Sequence, residues 1–403
     1  MNITDLKGKK ITVMGLGLHG GGVGTVKFLS EAGAQIIATD IKSKEELALS
    51  LEKLKGIKNV SFILGQHRPE DFTKIDLVIK NPAVSWNNKY IKLALDKKIP
   101  VEMDSSLFLR LCKNKIIGVT GTKGKTTTSG LIYAILKTAK KDAVKVGISQ
   151  TSVLDKLKNL EKETLVVFEL SSWRLSALGR SKISPQISVI INIYPDHLNY
   201  YKSMSEYIAD KENIFLYQKK NDICVINADS ALLEKSRGKI PSQIMEFSRE
   251  KIIFGSGAFI EDGGMYFKNG ESKNKILDIS EIKLKGGHNQ ENILAAIAVA
   301  GMLGIDFKII KKGILEFSGT PHRLELVREL EGVEYYNDSA ATTPESAISG
   351  INSFSAPVIL ICGGANKNLD VSIQAKEISK KTKSVIFLAG ESTDKMIDEL
   401  KKQ

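Results

Sequence analysis

The segment Gly118-Val-Thr-Gly-Thr-Lys-Gly-Lys-Thr126 follows an apolar run and opens a helical pattern. In that setting glycines let backbone N–H groups close around phosphate oxygens, and the helix N-terminus adds a favourable dipole. Gly121, Thr122, Lys123, Gly124, Lys125, Thr126 and Thr127 are therefore a candidate nucleotide cradle. Lys125 is placed to reach the β- and γ-phosphates, and the Thr126 hydroxyl suits Mg2+. The spacing departs from G-x-x-x-x-G-K-[ST], because Val119 stands where the first glycine would be. Such a loop identifies a phosphate ligand but not a reaction.

A second glycine loop, Gly15-Leu-Gly17-Leu18-His19-Gly20, also follows a strand-like run, and Asp40 closes the next one. That is the form of a dinucleotide fingerprint, with the acid placed for a ribose hydroxyl. Alone it fits NAD, FAD or a UDP-sugar, and a dehydrogenase stays open on this loop. Two nucleotide-type loops on one chain say more: one can hold ATP while the other holds a nucleotide-tagged substrate.

Glu169 ends the run Leu165–Phe168, where α/β ligand sites form, and a carboxylate there can meet Mg2+ directly or through water. The alternative is an ordinary charge at a helix N-terminus. His19, His197, His288 and His322 sit beside Gly, Asp, Asn or Arg clusters, and Asp196-His197 follows the apolar run ending at Ile193. Within Gly286–Asn292, His288 or Asn289 could serve only as a helix cap. His322-Arg323 and Asn337-Asp338-Ser339 frame the start of a last unit, where arginine can pair a phosphate. Trp86 and Trp173 read as packing residues.

Elements that would position these groups alternate between strand-like and helical patterns, the signature of α/β folds with parallel sheets. Strands are expected at Lys10–Met14, Gln35–Ala38, Leu77–Ile79, Lys115–Val119, Leu165–Phe168, Ile187–Ile193 and Asp222–Ile226. Helices are expected near Gly22–Ala32, Lys125–Thr138 and Gln290–Leu303, and the glycines from Gly255 to Gly270 suggest antiparallel hairpins. Beyond Pro321 the strands Pro357–Cys362 and Ser384–Leu388 are each followed by a helical pattern. The natural boundaries lie near residues 111 and 320, giving units 1–111, 112–320 and 321–403. Few strands are left for the last unit.

Length agrees, since 403 residues exceed one ordinary core. Hydrophobic content of 42% and charged content of 26% belong to a globular protein. The net charge of +12 (58 basic minus 46 acidic) is spread as scattered lysine pairs, and aromatics make up only 6%, so no nucleic-acid partner is expected. Cys112, Cys224 and Cys362 have neither metal nor disulfide spacing and read as buried thiols in a reducing cytosol. The N-terminus leads straight into a strand and is no signal peptide, and the longest apolar stretch, Ile293–Ile305, reads as a buried helix. A cytoplasmic monomer without membrane insertion is the expectation.

Taken in order, Gly15–Gly20, Gly118–Thr126, Glu169-Leu-Ser-Ser-Trp173, Asn192–Leu198, Lys211, Gly287–Asn292, His322–Glu325 and Asn337–Thr342 resemble the Mur ligases. These are the peptidoglycan amino-acid ligases related to folylpolyglutamate synthase, and the block Glu169–Trp173 is most similar to the glutamate-adding member. The resemblance implies three domains: a Rossmann-like one for the UDP moiety, a central ATPase, and a mobile Rossmann-like one for the amino acid. It implies ATP and two Mg2+ ions, with Thr126, Glu169 and His197 as metal ligands and Lys211 carbamylated beside the second ion. Asn289 and Asn292 match ATP contacts on the adenine side, while His322, Arg323 and Asp338 match the nucleotide-facing rim. Gly15, Gly17, Leu18, His19, Asp40 and Ser171 fall to the UDP-muramoyl substrate, and Thr342 and Lys367 to the glutamate. The implied reaction is D-glutamate addition to UDP-N-acetylmuramoyl-L-alanine through an acyl phosphate, with Lys125, Glu169, His197 and Lys211 as the catalytic set.

Departures from the family pattern bear on this. Lys123 replaces the usual Asn of the phosphate loop, Gly147-Ile-Ser-Gln150 replaces a Gly-Asn-Ile-Gly block, and Ala340 replaces a lysine. The chain also ends before a Ser-Pro-rich block, so it reads as truncated, with amino-acid binding compromised if it is complete. An L-glutamate-adding relative, another Mur or folylpolyglutamate-type ligase, and an inactive nucleotide-binding module remain as alternatives.

Overall fold

The structure, a computed structural model, describes residues 1–18, 20–148, 152–196, 201–253, 255–284, 286–364 and 370–403, without the side chain of Glu345. The first sheet is built from β1 (Lys10–Met14), β2 (Gln35–Asp40), β3 (Val60–Leu64), β4 (Leu77–Lys80) and β5 (Val101–Glu102), in the order β3-β2-β1-β4-β5. All its pairings are parallel. The strand order reverses between β1 and β4, so a crevice opens at their carboxyl ends, next to the glycine loop after β1.

The second sheet holds β6 (Ile116–Thr120), β7 (Ala143–Val146), β8 (Leu165–Glu169), β9 (Ile187–Ile190), β10 (Ile223–Asn227) and β11 (Gln243–Ser248). It is completed by β12 (Gly257–Glu261), β13 (Gly264–Asn269) and β14 (Ser272–Asp278), which form the expected antiparallel hairpins. Its order is β14-β13-β12-β11-β10-β9-β6-β8-β7. β6 lies between β8 and β9 with every residue buried, as a strand covered on both faces must be. The register sets Val119 against both Glu169 and Val189, so the ends of β6, β8 and β9 meet at the phosphate loop.

One apolar core joins a face of the first sheet to a face of the second, through Phe28, Phe108, Phe168 and Phe215 among others. A second core packs the helices Lys125–Thr138 and Gly287–Met302 on the opposite face of the large sheet. The latter helix is buried from Asn292 through Ala300, as its apolar run suggested. Each fully buried Ile or Leu there contributes roughly 1.5–3 kcal/mol.

The last unit carries a hairpin, β15 (Glu325–Leu330) with β16 (Val333–Asn337), that the sequence pattern did not suggest, because most of its residues are exposed. Next come β17 (Val358–Cys362) and β18 (Thr382–Phe387), paired in parallel and each followed by a helix. Helices cover one face of this pair; Ile359, Ile361 and Ile386 lie exposed on the other.

Other expectations shift. β3, β5, β7 and β11 were not anticipated; they are short or only partly buried and lack a continuous apolar run. The strand expected over Ile187–Ile193 ends at Ile190, leaving Asn192 in irregular chain beside the phosphate loop. Of the thiols only Cys224 is buried; Cys112 and Cys362 are half-buried. Trp173 packs on the main core and Trp86 on the smaller one around Phe72 and Ile91, both as expected; Trp86 also lies between Lys80 (4.5 Å from the ring centroid) and Arg180 (4.2 Å) and donates its indole N–H to Ser176 Oγ at 2.8 Å. No described helix is long and apolar enough to cross a membrane.

Candidate functional site

The phosphate loop leaves β6 at Thr120 and enters its helix at Lys125, with Gly124 in the left-handed region at φ +84°. A side chain at Gly124 is excluded twice: by that φ, and because a Cβ would collide with Asn292 Oδ1. Asn292 is buried, accepts from Thr128 Oγ1 at 3.0 Å and donates to Asn289 Oδ1 at 3.1 Å. Asn289 and Asn292 thus brace the loop and its helix from behind. Neither His288 nor Asn289 caps the helix Gly287–Met302; Gly286 is its N-cap, with no side-chain cap bond.

Asn192 fixes the loop from the other side. Its carbonyl accepts from the Thr122 N–H and its side-chain Oδ1 from the Lys123 N–H, both at 3.0 Å. The Thr122 hydroxyl meets Tyr207 Oη at 3.1 Å and accepts from the Tyr194 N–H at 2.9 Å. Two lysines then converge on one carbonyl. Lys125 Nζ donates to Gly121 O at 2.9 Å and to Thr122 O at 3.0 Å, and Lys211 Nζ donates to Gly121 O at 2.9 Å. Burial pushes the Lys125 amine below the usual lysine range, an effect opposed by Glu169 and Asp196 and reinforced by Arg323 and Lys123. Lys211, only 1% exposed, is pushed well below that range, first by burial and then by Lys125. A loop that gathers lysines while lacking enough counter-charge is electrostatically prepared for a polyanion.

The third feature is a carboxylate corner. Thr126 Oγ1 donates to Glu169 Oε1 at 3.1 Å, while Glu169 Oε2 is buried with no hydrogen-bond partner among the described residues. Leaving a buried carboxylate oxygen unsatisfied costs at least about 1–3 kcal/mol, so it fits a cation held between Glu169 and the Thr126 hydroxyl. Among the described residues no group of three or more His, Cys, Asp or Glu forms a metal cluster. His197 lies outside the described residues, as do His19 and Lys367.

At the first loop, Gly15 (φ +91°) and Gly17 (φ +66°) take left-handed conformations. Asp40 binds the loop itself: Oδ2 accepts from the Gly17 N–H at 2.9 Å and Oδ1 from the Lys42 N–H at 3.0 Å. Leu18 is exposed at the mouth of the crevice. Ser171 is the N-cap of the helix Ser172–Ser181 and accepts from the Arg174 N–H at 3.4 Å. The Arg174 guanidinium in turn donates to Gly147 O at 2.8 Å, tying down the start of the Gly147–Gln150 segment.

From the last unit, Arg323 comes near enough to Lys125 to depress it, and the Asp338 carboxylate accepts from the Leu324 N–H at 3.0 Å. Burial raises the Asp338 carboxyl. Thr127 lies in the first turn of the phosphate-loop helix, and Thr342 immediately precedes the N-cap of the helix Pro344–Ile351. Lys123, Lys125, Thr126, Glu169, Lys211 and Arg323 are therefore assembled around one loop. Asn192, Tyr207, Thr128 and Ser346 join them without having been singled out; only the polar Asn192 directly after a buried apolar run was a usable signal.

Two stretches of the chain match known domain families. Residues 119–300 match the Mur ligase middle domain, and residues 9–102 match the Mur ligase MurD-like N-terminal domain. The UDP-N-acetylmuramoylalanine–D-glutamate ligase of Roseiflexus sp. (strain RS-1) is 39% identical over 399 residues, covering 97% of this chain and 85% of that protein. The enzyme of the same name from Clostridioides difficile (strain 630) is 37% identical over 391 residues, covering 95% and 84%. Among solved structures, UDP-N-acetylmuramate-alanine ligase MurC from Thermotoga maritima superposes with a TM-score of 0.59 at 24% identity, over 98% of this chain and 88% of that one. MurF ligase from the same organism, in complex with ADP, gives 0.57 at 16% identity, over 100% and 90%. At these identities the two structures speak for the fold alone.

Proposed function

The chain belongs to the Mur ligase family, and from that premise we propose that it joins D-glutamate to UDP-N-acetylmuramoyl-L-alanine, with ATP converted to ADP and phosphate. This is a step of peptidoglycan precursor synthesis, the one named for its relatives. The observation that carries the reading is the corner where Thr126 of the phosphate loop donates to Glu169 Oε1, leaving Oε2 without a partner among the described residues, within electrostatic reach of Lys125.

The chemistry follows from the substrates. A carboxylate is a poor electrophile, so an oxygen of the alanyl carboxylate first attacks the γ-phosphorus, and the bond to the β-bridging oxygen breaks to release ADP. Lys125 leaves its resting carbonyls and holds the β- and γ-oxygens as charge develops on them. The glutamate amine then attacks the acyl carbon, loses its proton, and the carbon–oxygen bond to the phosphate breaks. Gly121 to Thr127 cradle the nucleotide, Asn289 and Asn292 support its adenine side, and Arg323 and Asp338 close the rim. Gly15, Gly17, Leu18, His19 and Asp40 receive the UDP portion, Ser171 the muramoyl portion, and Thr342 with Lys367 the glutamate. Closing the rim excludes water that would hydrolyse the acyl phosphate.

Mg2+ supplies charge neutralisation at the phosphates when bound. Thr126, Glu169 and His197 would hold one ion, and a carbamylated Lys211 would help hold a second. The parts fall to residues 1–111 for the UDP moiety, 112–320 for ATP and 321–403 for the amino acid. We place the enzyme in the cytoplasm as a monomer.

Phosphate release is expected only when ATP, UDP-N-acetylmuramoyl-L-alanine and D-glutamate are all present. Release with L-glutamate but not D-glutamate would reassign the amino acid, and release independent of the muramoyl substrate would remove the ligase reading.

A further inference from the structure

Lys123 belongs to the phosphate loop, yet its ammonium reaches into the last unit. It donates to Ser346 Oγ at 3.1 Å, across 223 residues of chain. Its backbone does not wander, because the N–H is held by Asn192 Oδ1 at 3.0 Å. Ser346 lies in the first turn of the helix Pro344–Ile351, where its hydroxyl meets Thr343 Oγ1 at 3.1 Å and its N–H donates to that same oxygen as the helix cap. The contact thus runs from the phosphate loop into the cap of a helix in the last unit, one residue beyond Thr342.

We propose that Lys123 and Ser346 form a positioning link, through which phosphate in the loop fixes the first turn of the helix Pro344–Ile351 and, with it, the Thr342 segment assigned to the incoming amino acid. The link rests on the ATP reading above and adds a route by which nucleotide occupancy reaches the amino-acid side.

The sign follows from electrostatics. With no phosphate, the ammonium is satisfied by a neutral hydroxyl and faces the positive end of a helix, so the contact is opposed by the helix dipole. Among the described residues no carboxylate pairs with Lys123. An ammonium carries three donors, and a phosphate oxygen is a stronger acceptor than a hydroxyl. Phosphate in the loop therefore engages the remaining donors, neutralises the charge that opposes the dipole, and strengthens the grip on Ser346. The same helix has an independent contact, Ser349 Oγ to His288 Nδ1 at 3.3 Å, which keeps it docked when Ser346 is changed.

Hydrogen exchange of the amides in 345–351, on the full chain with and without a non-hydrolysable ATP analogue and Mg2+, reads the link directly. In the unaltered chain the analogue is expected to slow exchange there by roughly tenfold or more, the scale of one hydrogen bond to a charged group. Ser346→Ala should still bind the analogue, up to about tenfold more weakly because the coupling is reciprocal, and lose that slowing, and Lys123→Arg should keep most of it. Analogue-dependent slowing that persists in Ser346→Ala overturns the link while leaving the ATP reading intact. Failure of the unaltered chain to bind the analogue overturns both.

Discussion

Lys125→Ala is expected to lower turnover on the order of 10³-fold with the fold intact, the scale of removing a preorganised donor from a developing oxyanion. In the resting loop the Lys125 ammonium is parked on Gly121 O and Thr122 O, which are acceptors any bound phosphate outcompetes. Burial depresses this amine, so it gains most when a polyanion arrives to stabilise its charge. Alanine favours the first turn of a helix as well as lysine does, and the two carbonyls left behind can bond water, so stability should change little. Steady-state phosphate release together with thermal unfolding checks both halves. Turnover within a few-fold of normal would remove Lys125 from the phosphate-bearing role.

Lys211→Ala is expected to have a comparable effect for a different reason. The side chain is buried and pushed well below the ordinary lysine range, so its amine is neutral at a lower pH than a free lysine. A neutral amine can add to CO2, forming a nitrogen–carbon bond and releasing a proton, and the carbamate proposed for Lys211 would carry negative charge beside the loop that its amine now contacts. Acid reverses this: the proton returns to nitrogen and CO2 leaves. Turnover should therefore fall as pH drops and should fall in CO2-depleted buffer. With ¹³C-labelled bicarbonate, a carbamate carbon signal is expected in the unaltered chain and not in Lys211→Ala. A signal that survives the substitution, or turnover indifferent to CO2, removes the carbamate.

The alternating fold was legible because the strands of the large sheet's centre are buried on both faces, so β6, β8 and β9 read as apolar runs, β6 leading into a glycine loop. β3, β7 and β11 escaped because partial burial leaves polar residues among their apolar ones, and β15 and β16 because they are mostly exposed. The phosphate loop and Glu169 stood out for a chemical reason: anion binding needs that local spacing, and a strand-end carboxylate beside such a loop can meet a cation. What could not be read is what sheet pairing and helix packing bring together. Asn192 meets Thr122 and Lys123 because β9 pairs with β6, and Asn292 meets Gly124 because two helices pack on one face. Local sequence marks the residues but not which loop they meet. At Asp40 the structure adds what its position did not show: its carboxylate accepts from the Gly17 N–H of the glycine loop and from the Lys42 N–H.

Acyl phosphate activation leaves its mark on an oxygen. If the alanyl carboxylate is activated as an acyl phosphate, one of its oxygens must leave with the phosphate. Supplying UDP-N-acetylmuramoyl-L-alanine with ¹⁸O in that carboxylate, together with ATP and D-glutamate, should give inorganic phosphate carrying a single ¹⁸O per turnover, as read by mass spectrometry. Phosphate released in step with the amide but free of ¹⁸O would contradict the mechanism built on Lys125, Thr126 and Glu169.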